Sequence, residues 1–365
     1  MLTKFTISMY RGFRTPITLD LSHPRDYTFN SSNITNGVIT NALVIGPNAS
    51  GKTNLLSAIA DIRSNYHQPE GPLAMGDFDE TFINADSDSK SAIFDYEFLF
   101  NAVKVEYHYE KGSDRRIMRE TLSFDRSVIF DCDSEGRLID SNLEAIGAKS
   151  LNWSFAGGYS SALAYISSNA PVQKDSVLGQ MRSFTQSIAM AVHDGWGSSR
   201  TLARYLQQII ARGLVGDLEK FLNDFGIDEK LVVREEGDGS RAVYCSRVRP
   251  IPFARCLSSG TRTLVSLFYI YKVLSRGTLY LLDEFDAYCH FELAEKLMRY
   301  FGTESGRQTI STTHNTSLTR NDVMRPDCIF KFGEDGSLAA LSERTPRELR
   351  FGNNVERLLR NGEFD

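Results

Sequence analysis

The chain has 365 residues, 41% of them hydrophobic, which is enough to bury the core of one large domain or of two closely associated ones. With 41 basic and 46 acidic residues the net charge is -5, which argues against a chain that wraps nucleic acid through an overall basic surface. The five cysteines form no CxxC pair, no long apolar run is present and no apolar leader is visible, so we expect a cytoplasmic protein without zinc, disulfides, a signal peptide or a membrane span.

The first part of the chain predicts strands around one glycine-rich loop. Residues 1–20 alternate between apolar and polar positions, which predicts two antiparallel strands. A short apolar strand over 41–45 precedes the loop, and a helix is predicted over about 51–65. Turn-forming residues predict a loop over 66–90. From 91 to 139, aromatic and β-branched residues alternate with polar ones, which predicts an antiparallel meander of three to five strands.

The middle of the chain, over 151–230, predicts a helical lobe inserted into the rest of the fold. Helical spacing of apolar residues covers 161–166, 177–192 and 201–225. Breaks are predicted where glycine or proline interrupts this spacing, at 169–171 and 195–197. The spacing is not sustained as heptads, so no long coiled-coil arm is expected.

The last part of the chain alternates strands and helices. A β-hairpin is predicted over 231–248, with its turn at 237–239. The elements predicted after it are a helix over 259–275, a strand over 279–282, a helix over 291–301 and strands over 308–312 and 328–332. Such alternation predicts a mostly parallel sheet. The predicted fold class is therefore α/β, organised as an N-terminal lobe (1–150), the inserted helical lobe (151–230) and a C-terminal lobe (231–365).

The glycine-rich loop, Gly46-Pro-Asn-Ala-Ser-Gly-Lys-Thr53, fits the pattern of a phosphate loop, with a strand before it and a helix after it. Its glycines allow successive N–H groups to point at phosphate oxygens, and the helix N-terminus adds a partial positive charge. Lys52 is expected to reach the β- and γ-phosphates, and Thr53 is expected to coordinate Mg²⁺. The predicted nucleotide-binding residues are Gly46, Asn48, Ser50, Gly51, Lys52 and Thr53.

Two further segments carry the residues of the predicted chemistry. The apolar strand Leu279–Leu282 ends in Asp283 and Glu284. Asp283 is expected to hold Mg²⁺ through water, and Glu284 is expected to act as general base for an attacking water. An acidic pair after a strand is common by itself and becomes informative only beside the phosphate loop. His314 follows the strand over 308–312 and is expected to contact the γ-phosphate or the water.

The segment Leu257-Ser-Ser-Gly-Thr261 begins a predicted helix, and we call it the signature segment. Its hydroxyls and its glycine lie at a helix N-terminus, where they can bind a phosphate or simply cap the helix. The nucleotide-contacting residues predicted here are Ser258, Ser259 and Gly260. Asp286, just after the acidic pair, is expected to contact a partner subunit and is counted with the nucleotide-binding residues.

In this order the segments resemble those of the ABC-type ATPase superfamily, and more closely its RecF/SMC/Rad50-like branch. Tyr10–Arg14, the phosphate loop and Asp283–Asp286 are similar to that branch, and the tail over 349–364 resembles the closing motif of the AAA15 ATPases, which include the ATPase of PARIS-type anti-phage systems. The resemblance implies an ABC-type P-loop ATPase head that uses ATP and Mg²⁺. It also implies a homodimer or a higher even-numbered oligomer, in which Ser258–Gly260 of one subunit face the γ-phosphate held by Lys52 of the other.

Three features depart from the family pattern. The signature segment reads LSSGT rather than the commoner LSGGQ, a change that the SMC-like branch tolerates. The glutamine loop is not located, and Gln68, Gln173 and Gln180 are the candidates. No aromatic platform for adenine is evident, and Arg11 or Phe13 is the candidate to flank the base.

Two functions are compatible with these residues. In the first, the ATPase is a sensor or scaffold that controls a nuclease-like effector protein encoded nearby, with a phage-derived trigger. About fifty residues follow His314, too few for a TOPRIM nuclease, and the pair Asp131 and Asp133 is expected to lie in a solvated hairpin. In the second, a RecF- or SMC-like dimer clamps DNA, although the arginines of the middle lobe (Arg182, Arg200, Arg204 and Arg212) are dispersed. Nucleic acid therefore stays open as a partner, and a transporter ATPase subunit is a weaker third reading.

Overall fold

The structure, a computed structural model, describes residues 1–66, 79–153, 161–192, 199–274, 278–304 and 306–365. Two predicted features lie outside these residues, namely the part of the predicted loop over 67–78, with Gln68, and the break at 195–197. Within the described ranges, no helix combines the length and apolarity that a membrane span requires.

The described strands are short and numerous, and in chain order they are β1 (Leu2–Ser8), β2 (Ile17–Asp20), β3 (Ile34–Thr35), β4 (Val38–Ile39), β5 (Asn41–Ile45), β6 (Ala92–Phe100), β7 (Val103–Lys111), β8 (Ile117–Phe124), β9 (Ser127–Asp133), β10 (Leu138–Ser141), β11 (Ala189–Ala191), β12 (Leu231–Glu235), β13 (Arg241–Cys245), β14 (Ile251–Pro252), β15 (Leu279–Leu282), β16 (Gln308–Thr313), β17 (Ile329–Phe332) and β18 (Leu338–Ala340). The described α-helices are α1 (Lys52–Asp61), α2 (Ala162–Asn169), α3 (Val177–Gln186), α4 (Ser199–Ala211), α5 (Val215–Asp224), α6 (Phe253–Cys256), α7 (Ser259–Phe268), α8 (Phe291–Thr303) and α9 (Val355–Arg360).

A six-stranded sheet forms the centre of the fold, in the order β11-β15-β16-β5-β17-β18. Every pair in it is parallel except β17 with β18. Strands β5, β15 and β16 are buried along their whole length, as expected for strands covered on both faces. Because these three strands are parallel neighbours, their carboxyl ends lie at one edge of the sheet. The phosphate loop, the acidic pair and His314 follow those ends.

A seven-stranded antiparallel sheet packs beside the centre, in the order β10-β9-β8-β7-β6-β1-β2. Its strands β6 and β7 alternate between buried and partly exposed positions, which gives the sheet one apolar and one polar face. The apolar face carries stacked aromatic rings. The ring centroids of Phe94 and Tyr109 lie 4.7 Å apart, and those of Tyr96 and Phe98 lie 5.8 Å apart.

A buried polar network joins the phosphate-loop helix α1 to this antiparallel sheet. Asp61 at the end of α1 forms a buried ion pair with Lys111 of β7, which also donates to Asn65 at 2.9 Å. Asn65 donates to the hydroxyl of Tyr107 at 3.1 Å, and that hydroxyl donates to Glu120 of β8 at 2.8 Å. Glu120 in turn accepts from the first backbone N–H groups of α2. A continuous chain of hydrogen bonds therefore connects α1 with β7, β8 and α2.

Most predicted elements are confirmed, and the middle lobe brings the main correction. The α/β class, the mostly parallel core sheet and the antiparallel meander of five strands, β6 to β10, are present. The helix predicted over 177–192 is wrong at its end, because α3 stops at Gln186 and β11 extends the core sheet beside β15. The pairing of β11 with a buried parallel strand overrides the helical spacing of its sequence. The stretch over 201–225 forms two helices, separated at Gly213, whose φ is 71°.

The hairpin expected around Asp131 and Asp133 is confirmed. Asp131 pairs with Arg119 at 2.9 Å, and Asp133 accepts hydrogen bonds from the turn residues Glu135 and Arg137. Among the described residues, no group of three or more His, Cys, Asp or Glu side chains is arranged to hold a metal ion. The two aspartates therefore stabilise the strand pair and its turn.

We predict that Glu120 makes the stability of the fold depend on pH. Glu120 is 2% exposed, and burial raises the pKa of its carboxyl to about 7, against the opposing effect of its hydrogen bonds. Because the pKa is higher in the folded state than in the unfolded state, the carboxyl of Glu120 stabilises the fold at low pH by about 3 kcal/mol relative to high pH. This contribution is lost as pH rises from about 4.5 to about 7. Glu120→Gln removes this titration. Urea unfolding should show that the free energy of unfolding of the variant rises relative to that of the wild type between pH 5 and pH 8. An equal difference between the two free energies at both pH values would contradict the prediction.

Candidate nucleotide site

The phosphate loop is built from backbone that only glycine can supply at one position. Gly51 has a φ of 100°, and a Cβ placed on it would lie 2.5 Å from Cε1 of Phe13. Phe13 itself is buried and stacks on Phe332 at 6.1 Å. Its ring supports the loop from inside the protein, so it is not free to flank an adenine, and Arg11 is left as the candidate for that role.

Lys52 is folded back onto its own loop. Its Nζ donates to the carbonyl oxygens of Gly46 at 3.0 Å and Pro47 at 2.9 Å, and the residue is 6% exposed. Burial lowers the pKa of this ammonium, and the nearby carboxylates of Glu284 and Asp283 oppose that shift. An anion in the loop would add a strong acceptor for this charge, because charge-assisted hydrogen bonds are stronger than those to neutral carbonyls.

The rest of the loop fits the same kind of ligand. The hydroxyl of Ser50 is buried and has no hydrogen-bond partner in the part of the chain that the structure describes. Asn48, at the tip of the loop, is exposed. A buried hydroxyl without a partner is costly, and a phosphate oxygen is one group that would satisfy it.

Thr53 and Asp283 meet at the position expected for a magnesium ion. The hydroxyl of Thr53 donates to Oδ2 of Asp283 at 2.8 Å, although the two residues lie 230 positions apart in the chain. Hydroxyl and carboxylate oxygens are ligands that Mg²⁺ accepts, and this ion often takes only one or two protein ligands with phosphate and water completing its shell. The residues present therefore fit a magnesium–nucleotide complex.

Glu284 is held in an unusual backbone conformation beside His314. Its φ is 45°, in the left-handed region that non-glycine residues seldom adopt. Its N–H donates to Oγ1 of Thr312 at 2.8 Å, and its carboxylate lies 3.3 Å from Nε2 of His314. Both side chains are about one-third exposed (34% for Glu284 and 39% for His314), so the pair faces the open edge of the sheet where the phosphate loop also lies.

Two threonines at the end of β16 were not predicted as functional residues. Buried Thr312 donates to Oδ1 of Asp283 at 2.7 Å while it accepts the N–H of Glu284. Its neighbour Thr313 donates to both carboxylate oxygens of Asp286, at 2.7 and 2.8 Å. Burial raises the pKa of Asp286, against the hydrogen bonds that it accepts from Thr313 and Asn315. The signal available in the sequence was the pair of hydroxyl residues directly before His314.

The signature segment lies where it was predicted, at the N-terminus of α7. The hydroxyl of Ser258 accepts from the N–H of Thr261 at 3.2 Å, which is the capping arrangement named above as the alternative. Ser259 is exposed, and a Cβ on Gly260 would lie 3.1 Å from the carbonyl oxygen of Tyr288. Contact between this segment and a partner's nucleotide stays a prediction.

The remaining candidates stand apart from the site. Gln180 donates to the carbonyl of Asp175, just before the start of its helix α3, and Gln173 is exposed. Gln68 is outside the described residues, so the glutamine loop stays unassigned. Arg182 and Arg212 donate to the backbone carbonyls of Ser167 and Val273. These two arginines support the fold, which weakens the case for a DNA-binding stripe on the middle lobe.

Comparison with known proteins gives a family and a fold. Residues 42–320 match the family model described as "AAA domain, putative AbiEii toxin, Type IV TA system". Among solved structures, an SMC head bound to the C-terminal winged-helix domain of ScpA aligns with a TM-score of 0.51 and 13% identity, over 94% of this chain and 98% of that chain. The SMC head of Thermotoga maritima aligns with a TM-score of 0.46 and 17% identity, over 95% of this chain and 99% of that chain. No curated protein is similar enough to count as a match.

We predict that Gly51→Ala destabilises the protein by about 2 kcal/mol or more, because the added methyl group must occupy the place of the Phe13 ring in a backbone conformation that alanine avoids. Gly216→Ala, in helix α5, is the matched control: nothing lies within 4 Å of its added Cβ, and it should be neutral or slightly stabilising. Thermal unfolding of the two variants measures both effects. Equal melting temperatures would contradict the account of the loop.

Proposed function

The chain belongs to the family described as "AAA domain, putative AbiEii toxin, Type IV TA system", and from this membership and the site geometry we propose that it is an ABC-type ATPase that closes as a dimer around ATP. The observation that carries the proposal is one set of contacts at the edge of the core sheet. Each neighbouring pair in this set is joined by a hydrogen bond or a side-chain contact of 3.3 Å or less, in the order Thr53, Asp283, Thr312, Glu284 and His314.

In the proposed binding step, the triphosphate occupies the phosphate loop with Mg²⁺. Lys52 leaves the carbonyls of Gly46 and Pro47 and contacts the β- and γ-phosphates. Thr53 and Asp283, whose Oγ1 and Oδ2 atoms lie 2.8 Å apart, would hold the ion, which would supply positive charge against the charge that develops on the phosphate oxygens. The positive end of α1 adds to the same attraction.

In the proposed hydrolytic step, Glu284 accepts a proton from the water that attacks the γ-phosphate. His314 holds the Glu284 carboxylate from one side, and the bond from the Glu284 N–H to Thr312 holds its backbone from the other. Positioning and electrostatics supply most of the rate in phosphoryl transfer, and this anchoring supplies the positioning of the general base. The products are ADP and phosphate.

In the proposed closure, the exposed N-terminus of α7 from one subunit completes the site of the other. Ser259 is exposed and Ser258 lies beside it at a helix N-terminus, where backbone N–H groups attract a phosphate. Asp286 is held by Thr313 within the site region, on the segment expected at the subunit contact. A homodimer is the smallest assembly that satisfies this arrangement, and a higher even-numbered oligomer also does.

We propose further that this ATPase controls an effector protein in defence against phages, with a nuclease-like partner and a phage-derived trigger. The supporting observations are the family description, which names a toxin, and the tail that resembles the AAA15 closing motif. The DNA-clamping alternative is favoured by the SMC-head fold and opposed by the net charge of -5. Hydrolysis stimulated by DNA with a steep dependence on salt would favour the clamp, whereas co-purification with the product of a neighbouring gene would favour effector control.

We predict that Glu284→Gln lowers ATP hydrolysis by about 100-fold or more, because the amide cannot accept the proton from water. ATP should still bind, and light scattering after size exclusion should show the variant as a stable dimer in ATP. Glu334→Gln, at an exposed glutamate in the turn between β17 and β18, serves as control and should behave as the wild type. Normal hydrolysis by Glu284→Gln would remove this residue from its proposed role.

We predict that Thr312→Val lowers kcat by about 100-fold while KM for ATP changes little, because the isosteric side chain releases both Asp283 and the Glu284 backbone without touching nucleotide. Thr312→Ser keeps the hydroxyl and should restore most of the rate. The test is steady-state hydrolysis of both variants, with circular dichroism to confirm folding. If the serine and valine variants had equal rates, the hydroxyl would have no positioning role.

A further inference from the structure

One groove on the surface of the protein is not used by the proposed ATPase mechanism. It lies between the loop Arg25–Phe29 and the tail segment 342–351, and we call it the tail groove. Its cavity is about 650 Å³, within the range of pockets that hold ligands. A smaller cavity of about 230 Å³ adjoins it and shares Phe351. None of the nucleotide-site residues lines either cavity.

Both walls of the tail groove are anchored by buried polar side chains. Arg325, 3% exposed, pairs with Asp327 at 2.7 Å and donates to the carbonyls of Arg25 and Tyr27. Asp327 also accepts the N–H of Arg25 at 2.7 Å. The first wall is therefore held to the body of the protein by a buried ion pair, and little ordering is required when a ligand binds.

The opposite wall is held by Asn321, which is 4% exposed. Its Nδ2 donates to the carbonyls of Arg350 at 2.8 Å, Phe351 at 3.1 Å and Asn353 at 3.1 Å. Its Oδ1 is buried without a hydrogen-bond partner in the described chain, and the residue lines the smaller cavity. A buried acceptor left unsatisfied beside a cavity is a position where a ligand donor would be favourable.

The groove presents aromatic rings to its opening. The ring centroid of Phe29 lies 5.2 Å from that of Tyr27 and 5.3 Å from that of Phe351. Phe351 is 58% exposed, although exposure of a phenylalanine ring to water is unfavourable. A partner side chain that covers these rings would gain both burial and an aromatic contact.

The charges of the groove favour an acidic ligand of limited length. Arg350 pairs with Glu348 at 2.7 Å, whereas Arg25 and Arg347 form no ion pair with any described residue. Asp26 and Glu348 also line the cavity, so the cationic surface is short and interrupted. Binding of a nucleic acid strand requires a longer row of cationic side chains. A peptide with two carboxylates and one aromatic ring is complementary to Arg25, Arg347 and Phe351.

We propose that the tail groove binds a short acidic peptide segment with aromatic side chains, supplied by another protein. The guanidinium groups of Arg25 and Arg347 receive its carboxylates, and the rings of Phe29 and Phe351 receive its aromatic side chain. The proposal goes beyond the ATPase function and holds whether or not the chain hydrolyses ATP, because it rests on residues outside the nucleotide site.

The test is fluorescence anisotropy with the nucleotide-free protein and a fluorescein-labelled octapeptide of alternating aspartate and phenylalanine. The comparison probes are octapeptides of alternating lysine and phenylalanine and of alternating aspartate and serine, together with labelled oligothymidine. We expect the first probe to bind at least about tenfold more tightly than the other three. R25A/R347A and Phe351→Ala should each weaken it by about tenfold.

Matched controls are Arg357→Ala, at an exposed arginine on α9, and Phe291→Ala, at a phenylalanine that is 63% exposed outside the groove. Both should bind the first probe as the wild type does. Absence of binding, equal binding of all probes, a preference for oligothymidine, or groove variants that behave like the controls would each overturn the proposal. If R25A/R347A altered self-association without changing peptide binding, the groove would be assigned to a second copy of the chain, which also overturns it.

Discussion

The hydroxyl of Thr312 is the contact on which the site depends. It lies at the carboxyl end of β16, between β15 and β5, and bonds at once to Asp283 and to the backbone of Glu284. Because the strands are parallel, the segments that follow them meet at one edge, and residues 230 positions apart come within a hydrogen bond. A buried hydroxyl can satisfy both partners only in one geometry, so it holds the acidic pair and stabilises the left-handed backbone of Glu284.

The phosphate loop is supported from a different direction. The ring of Phe13 lies beneath Gly51, and the end of α1 is tied by Asp61 and Lys111 to the antiparallel sheet. Breaking such a buried pair by removing one partner is costly, so the position of α1 is firmly defined. The same network reaches α2 through Glu120. The antiparallel sheet therefore acts as the rigid support on which α1 rests.

Much of the fold and of the site was predictable, for identifiable reasons. The phosphate loop and the acidic pair follow apolar strands whose composition shows burial, and the meander shows the alternation of a half-buried sheet. The strand β11 was missed because its three residues continue the helical spacing of the segment before them, and only pairing with β15 makes them a strand. The roles of Thr312 and Phe13 were missed because they depend on contacts between distant segments, such as Phe13 with Gly51, that spacing along the chain does not report.

The central claim, that two copies share each nucleotide site, is tested most directly by mixing two inactive variants. Lys52→Ala removes the phosphate contact of one subunit, and Ser259→Glu places a negative charge at the exposed start of α7, where a helix tolerates it but a triphosphate does not. Each variant alone should lack ATP hydrolysis. An equimolar mixture should recover about one-quarter of the wild-type rate, because heterodimers keep one intact site. No recovery on mixing, or full activity of Ser259→Glu alone, would contradict the shared site.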